Sequence, residues 1–159
     1  AAFRRVLAEV PTAHLVICGY GYPEQVTEVR EMVQALSLEA NVHLESFRDD
    51  VRDLLHASTV LVVSSQSFES FGLTVVEAWA ERLPVVATRV GGLPEVIGED
   101  GGGFCLAADD VTGFADAIGR LLKDGALRAD MGERGYRRFV GNFTAERMAD
   151  QYAHLIRRA

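Results

Sequence analysis

The sequence predicts an α/β domain built on a doubly wound, mostly parallel sheet. Short β-branched runs alternate with segments whose apolar residues recur at three- and four-residue spacing, the rhythm of strand–helix–strand units. Two runs, 59–65 (TVLVVSS) and 84–88 (PVVAT), are continuously strand-like instead of alternating apolar with polar, as in strands covered on both faces. Helical segments between the runs supply the crossovers that parallel strands require.

In chain order, residues 14–19 (HLVICG) form a short apolar strand that ends in glycine and gives way to the loop GYGYPEQ. The spacing predicts a helix over 24–36, with Val26, Val29, Val33 and Leu36 on one face. A short strand follows at 41–46 (NVHLES), then a short helix at 49–58 with Asp49 or Asp50 as N-cap. After the strand at 59–65, a helix covers about 73–81, and strands follow at 84–88 and 103–107 (GFCLA). The glycine cluster at 98–103 (GEDGGG) reads as a loop leading into the last strand. Three helices close the chain. The first places Val111, Phe114, Ala115, Ile118, Leu121 and Leu122 on one stripe, the second runs from about Leu127 to Phe139, and the third holds Met148, Tyr152, Leu155 and Ile156.

The 159 residues suit a single domain over 1–159 with its own core, without internal repeat, linker or low-complexity segment. A hydrophobic share of 48% and a charged share of 25% match a folded, soluble domain. No apolar run approaches the roughly 18 residues that span a bilayer. The opening AAFRRVLAEVPTAH is amphipathic and unlike a signal peptide, so a cytoplasmic location is expected. The net charge of −7 argues against a general nucleic-acid binder. The basic cluster of Arg134, Arg137 and Arg138 reads as a solvated helix face. Cys18 and Cys105 read as buried, reduced thiols, and His14, His43, His56 and His154 are scattered without ligand spacing, so no metal site is expected.

In doubly wound sheets ligands bind beyond the carboxyl ends of the strands. Those ends are the loops Gly19–Pro23, Ser46–Asp50, Ser64–Gly72 and Thr88–Glu95. The third carries Glu69 and leads into the helix that carries Glu77, in the stretch SFESFGLTVVEAWAERLPVVATRVGGLPEVI (67–97). The first amides of that helix, from about Gly72 to Val75, lack intrahelical acceptors and form an anion site suited to phosphate. Gly72 permits close approach of a ligand to the backbone. Glu77, one turn further in, offers two acceptor oxygens that match a vicinal diol such as that of ribose. Glu69 can accept from hydroxyls on a second part of the same ligand. A phosphate flanked by two hydroxyl-rich groups describes a nucleotide-sugar.

This stretch resembles the signature of the retaining glycosyltransferases of family four, which have the GT-B fold. The shared marks are a glutamate followed by Phe-Gly, a second glutamate eight positions on in "EA", then PVVAT, two glycines and a glutamate. The resemblance extends to HLVICGYG, to FRDDVRDLLHASTVLVVSS and to the closing helices, and so covers nearly the whole chain. It implies a Rossmann-like C-terminal half of a GT-B enzyme that binds a UDP-, GDP- or ADP-sugar and transfers the sugar with retention, without a metal cofactor. Glu69 would contact the transferred sugar as the catalytic residue, and Glu77 would bind the ribose hydroxyls. The amides of Phe71, Gly72, Leu73 and Thr74 would hold the sugar and distal phosphate. Gly19 would line the nucleotide cleft, and Arg48 would lie near the base.

Three departures accompany the resemblance. The family's Gly-Arg…Lys-Gly stretch, which neutralises the diphosphate, would precede the helix that opens at Ala1, and Arg4 and Arg5 inside that helix do not match it. The first, central strand of the sheet and the acceptor-binding N-terminal domain are likewise expected to be missing, so the chain reads as a fragment, inactive alone. Any membrane association would then come through the full-length protein, at the inner membrane face. Third, Arg82 stands where the family has glycine at the end of the motif helix; in a left-handed conformation it would cost roughly 1 kcal/mol. The alternatives are a GT-B-type nucleotide-sugar epimerase and a non-catalytic partner domain. A signalling receiver domain fits poorly, because the strand ends read Cys18-Gly19, Ser64-Ser65 and Thr88-Arg89.

Overall fold

The computed structural model describes residues 1–99 and 101–158 of the chain. Helix α1 (Ala2–Glu9) precedes β1 (Leu15–Cys18), α2 (Pro23–Ala35), β2 (Val42–Glu45), α3 (Val51–Ala57) and β3 (Leu61–Val63). Then come α4 (Leu73–Ala80), β4 (Val85–Thr88), α5 (Leu93–Ile97), β5 (Gly103–Leu106), α6 (Val111–Lys123), α7 (Gly125–Asn142) and α8 (Ala145–Ile156). Every strand pairing is parallel, as the alternating sequence requires.

The strands form two sheets, β1–β2 and β3–β4–β5. Neither β1 nor β3 has a second neighbour among the described residues, so the edges expected to flank a central strand are unpaired and have not re-paired with each other. This corrects the reading of 59–65 as a strand buried on both faces. Its hydrogen-bonded part shrinks to Leu61–Val63, and all three residues are half-buried. An open edge exposes even an apolar strand. By contrast, β4 lies between two strands and is buried at all four positions.

Side chains of β4 alternate between two cores, as strand geometry demands. Val85 and Ala87 join α3, α4 and α5 on one face, around Trp79, Leu93 and Ile97. Val86 joins α1 and α6 on the other, around Val6, Phe114, Ile118 and Leu121. Helix α7 adds Met131 to the second core and Phe139 to the first. It approaches α4 so closely that a Cβ on Gly135 would stand 2.2 Å from Trp79 Cδ1. The Trp79 indole N–H, buried there, donates to Gly102 O at 3.2 Å.

Other expectations shift. The apolar face of α2 is not a core face: none of its residues is buried, and Val26 is exposed. Asp50 stands at the N-cap of α3 but caps nothing, because its carboxylate is held by Arg48. Cys18 and Cys105 are free thiols as expected, but both are half-buried and not fully enclosed. The stripe Met148, Tyr152, Leu155 and Ile156 of α8 is exposed. No helix among the described residues is long and apolar enough to cross a membrane.

Arg82 is left-handed, with φ +56°. It closes α4 in a Schellman turn, Leu83 N–H donating to Ala78 O at 2.9 Å and Arg82 N–H to Trp79 O at 3.0 Å. The helix ends where expected because the side chain is anchored. Arg82 Nε lies 3.1 Å from Glu133 Oε2, and its Cζ sits 3.6 Å above the Tyr136 ring, both on α7. These contacts offset the backbone cost that glycine would avoid.

Candidate functional site

The carboxyl ends of β3 and β4 lie side by side and carry the stretch 67–97. Thr88 is buried, and its hydroxyl donates to Ser65 O at 2.7 Å, tying the end of β4 to that of β3. From there the chain turns through Gln66–Phe71 into α4. Gly72, at the N-cap, has φ +93° and ψ +52°, a left-handed conformation costly for other residues.

Glu69 is half-buried on this turn. Its Oε1 accepts from the Gly72 N–H at 3.1 Å, and its Oε2 from the Ser65 hydroxyl at 3.4 Å. The carboxylate therefore engages one of the amides that the sequence reading assigned to phosphate. The backbone of Glu69 is fixed as well. Gly92 N–H donates to Glu69 O at 2.9 Å. A Cβ on Gly91 would stand 2.0 Å from Glu69 O, and one on Gly92 would stand 2.6 Å from Ser70 O. The paired glycines let two loop backbones touch, which explains why both positions lack a side chain.

Helix α4 turns Val75, Val76, Ala78 and Trp79 into the core and leaves Leu73, Thr74 and Glu77 exposed. Glu77 accepts no hydrogen bond and forms no ion pair among the described residues. The amides of Leu73 and Thr74 are likewise without a protein acceptor, as the first turn of a helix dictates. The face thus presents unsatisfied donors at the helix start and an unpaired carboxylate one turn along. Phe71, beside Gly72, is partly exposed and packs edge-on against Phe143, with centroids 5.8 Å apart.

The remaining site residues lie on the β1–β2 sheet. Gly19 ends β1 and has open space where a Cβ would be, its N–H donating to Glu45 O at 3.4 Å. Arg48, in the loop after β2, binds Asp50 through two parallel hydrogen bonds of 2.8 and 2.9 Å. That pairing raises the Arg48 pKa and lowers that of Asp50, hydrogen bonding being the largest cause for each. Near these loops Tyr20, Tyr22 and Phe47 are exposed. The structure brings Glu69, Phe71, Gly72, Leu73, Thr74 and Glu77 onto one turn and helix start, and places Gly19 and Arg48 on a separate sheet. Among the described residues no group of three or more His, Cys, Asp or Glu is arranged to hold a metal ion.

Sequence reasoning missed Ser65, Thr88, Gly91 and Gly92 as supports of Glu69. Only the glycine pair left a signal, since adjacent glycines mark a tight backbone approach.

The family described as glycosyl transferases group 1 matches residues 1–138. The chain is 38% identical to N-acetyl-alpha-D-glucosaminyl L-malate synthase of Bacillus anthracis, over 95% of this chain and 39% of that protein. It superposes on sucrose-phosphate synthase from Thermosynechococcus elongatus with a TM-score of 0.87 and 29% identity, covering 99% of this chain and 41% of that one. Anabaena HepE, solved with UDP-glucose, shares the fold with a TM-score of 0.85 at 22% identity, over 98% of this chain and 44% of that one. The chain spans about two-fifths of the length of each of these three relatives. Its architecture is the Rossmann-like C-terminal half of a GT-B enzyme, and the chain belongs to the group 1 glycosyl transferases.

Proposed function

We propose that this chain is the donor-binding half of a retaining glycosyltransferase, holding a UDP-, GDP- or ADP-sugar for transfer to an acceptor hydroxyl. The observation that carries the reading is the face of α4: free Leu73 and Thr74 amides, an unpaired Glu77 one turn along, and Glu69 poised over the turn. The amides suit the distal phosphate and Glu77 suits the ribose diol. Glu69 already accepts two hydrogen bonds, yet an ionised carboxylate has about four lone-pair sites, so sugar hydroxyls can still donate to it. The HepE structure solved with UDP-glucose supports the donor class.

The open edges of β1 and β3 support the reading of a larger enzyme, in which a further strand completes the sheet and a second domain binds the acceptor. The family resemblance implies that an Arg–Lys pair neutralises the diphosphate, and the reading involves no resident metal. Two free thiols suit a cytoplasmic enzyme.

Calorimetry with a panel of UDP-, GDP- and ADP-sugars tests donor binding by the chain. Glu77→Ala should weaken it by about 1.5–3 kcal/mol, the range for hydrogen bonds to a charged group. Unchanged affinity would overturn the ribose assignment. In the full-length enzyme Glu69→Ala should lower kcat more than donor affinity. Equal losses would move Glu69 from the reacting sugar to the nucleotide.

A further inference from the structure

Helix α7 carries four arginines; Arg128 donates to Leu121 O and Leu122 O in α6, and of the remaining three one behaves unlike the other two. Arg134 Nε lies 3.1 Å from Asp130 and Arg137 Nε lies 3.6 Å from Glu133, each pair one turn apart along the helix. Arg138 does not belong to a solvated face. Its Nε donates to Val96 O at 2.6 Å and an Nη donates to Glu95 O at 2.8 Å, both carbonyls in the last turn of α5. The guanidinium rests over Gly98, where a Cβ would approach Cζ to 2.8 Å.

A helix of five residues cannot sustain itself and depends on what holds its ends. At its C-terminus α5 has Arg138, a cation that satisfies orphan carbonyls and complements the helix dipole. At its N-terminus stands Gly92, whose N–H is bonded to Glu69 O. Fixing one end of α5 therefore fixes the backbone of Glu69. A second route leads from the same guanidinium to the same turn. Arg138 Cζ lies 5.9 Å from the Phe143 ring centroid, and Phe143 packs edge-on against Phe71, next to Gly72.

We propose that Arg138 is a positioning residue for the Glu69–Gly72 turn, steadying it on one side through α5 and Gly92 and on the other through the Phe143–Phe71 pair. Its structural consequence stands by itself; its kinetic consequence rests on the sugar-contacting role proposed for Glu69.

Native-state hydrogen exchange on the chain reads the structural part. In Arg138→Gln, the amides of Gly72 and Gly92 should lose about ten-fold more protection than those of Val86 and Ala87 in β4, which report the common core. Arg138→Lys, able to reach one carbonyl, should recover part of that difference. Phe143→Leu leaves α5 capped and should loosen Gly72 more than Gly92; if Arg138→Gln fails to fold, the lysine and leucine variants carry the same comparison. A uniform loss at all four amides, or no loss, would overturn the proposal. In the full-length enzyme Arg138→Gln should lower kcat about ten-fold while donor KM stays within about two-fold, because the loss is one of orientation and not of nucleotide contact. Loosened amides with an unchanged kcat would keep Arg138 as a positioning residue and overturn the role of Glu69. A lowered kcat with unmoved amides would overturn the positioning.

Discussion

The β3–β4–β5 sheet and the β1–α2–β2 unit have similar sequences in outline, short β-branched strands followed by amphipathic helices, yet they are packed very differently. The first is sandwiched between two cores centred on Trp79 and on Leu121. The second contributes to neither core: Leu38 and Val42 are buried, but Val16, Ile17 and Val26 are exposed and α2 buries nothing. Amphipathic patterning specifies a face to be covered, not what covers it. Where β4 has strands on both sides the pattern is satisfied; where β1 has one neighbour it is not. The residues proposed to bind the donor fall on both sides of this divide. Glu69, Gly72 and Glu77 stand on the packed half, and Gly19 and Arg48 on the lightly packed unit. A ligand that touches both would order the second against the first.

The largest expected effect tests the packed half. Gly135→Ala forces a Cβ into the Trp79 indole and should destabilise the chain by about 3 kcal/mol in urea unfolding. Val29→Ala, on the half-buried face of α2, should cost under about 1 kcal/mol of global stability. Equal costs would mean that the two regions unfold as one and would erase the distinction.

A smaller effect separates two helix ends of the same design. Ser37 and Arg82 are both left-handed, with φ of 53° and 56°, and both close a helix in a Schellman turn. Arg82→Gly relieves roughly 1 kcal/mol of backbone cost but gives up the ion pair with Glu133 and the Tyr136 contact; the two changes oppose each other, so its net change should be small. Arg82→Ala loses the contacts and keeps the cost, and should destabilise the chain. Ser37 has no side-chain hydrogen bond to lose among the described residues. Ser37→Gly should therefore stabilise, and the gain should appear as slower exchange in β1 and β2 and not in β4. A matching gain in β4 would contradict the comparison.

These contrasts also mark what the sequence could disclose. Strand β4 was legible because PVVAT is buried throughout, and the α4 turn was legible because Gly72 and Glu77 interrupt an apolar segment. The third strand was overread, since burial of TVLVV depends on a neighbour that local sequence does not encode. Helix α5 escaped notice because five residues are too few for a period, although Pro94 near its start and Glu95 in its first turn are start signals. The carboxylate of Glu69 binding the amide three residues on is a local contact that spacing alone could have suggested. Arg138 was read as surface because its partners lie more than forty residues away, beyond any helical period.

The smallest effect is chemical and sets one thiol of each region against the other. Cys105 lies against the Trp79 core, where burial raises its pKa, with Arg89 opposing the shift. Raising a thiol pKa lowers the thiolate fraction at a given pH, and the thiolate is the form that an alkylating agent attacks. Its reaction with iodoacetamide should therefore be slow near pH 8 and should accelerate as pH climbs through the raised pKa. Cys18, at the end of β1, donates its S–H to Ser46 O, a contact made wholly within the lightly packed unit. Local opening of that unit frees it without disturbing either core, so Cys18 should label first, and bound donor should slow Cys18 while leaving Cys105 unchanged. Mass spectrometry of the labelled peptides resolves the order. Cys105 labelling ahead of Cys18, or donor slowing both equally, would show that the region around β1 is no easier to open than the sheet that carries Glu69.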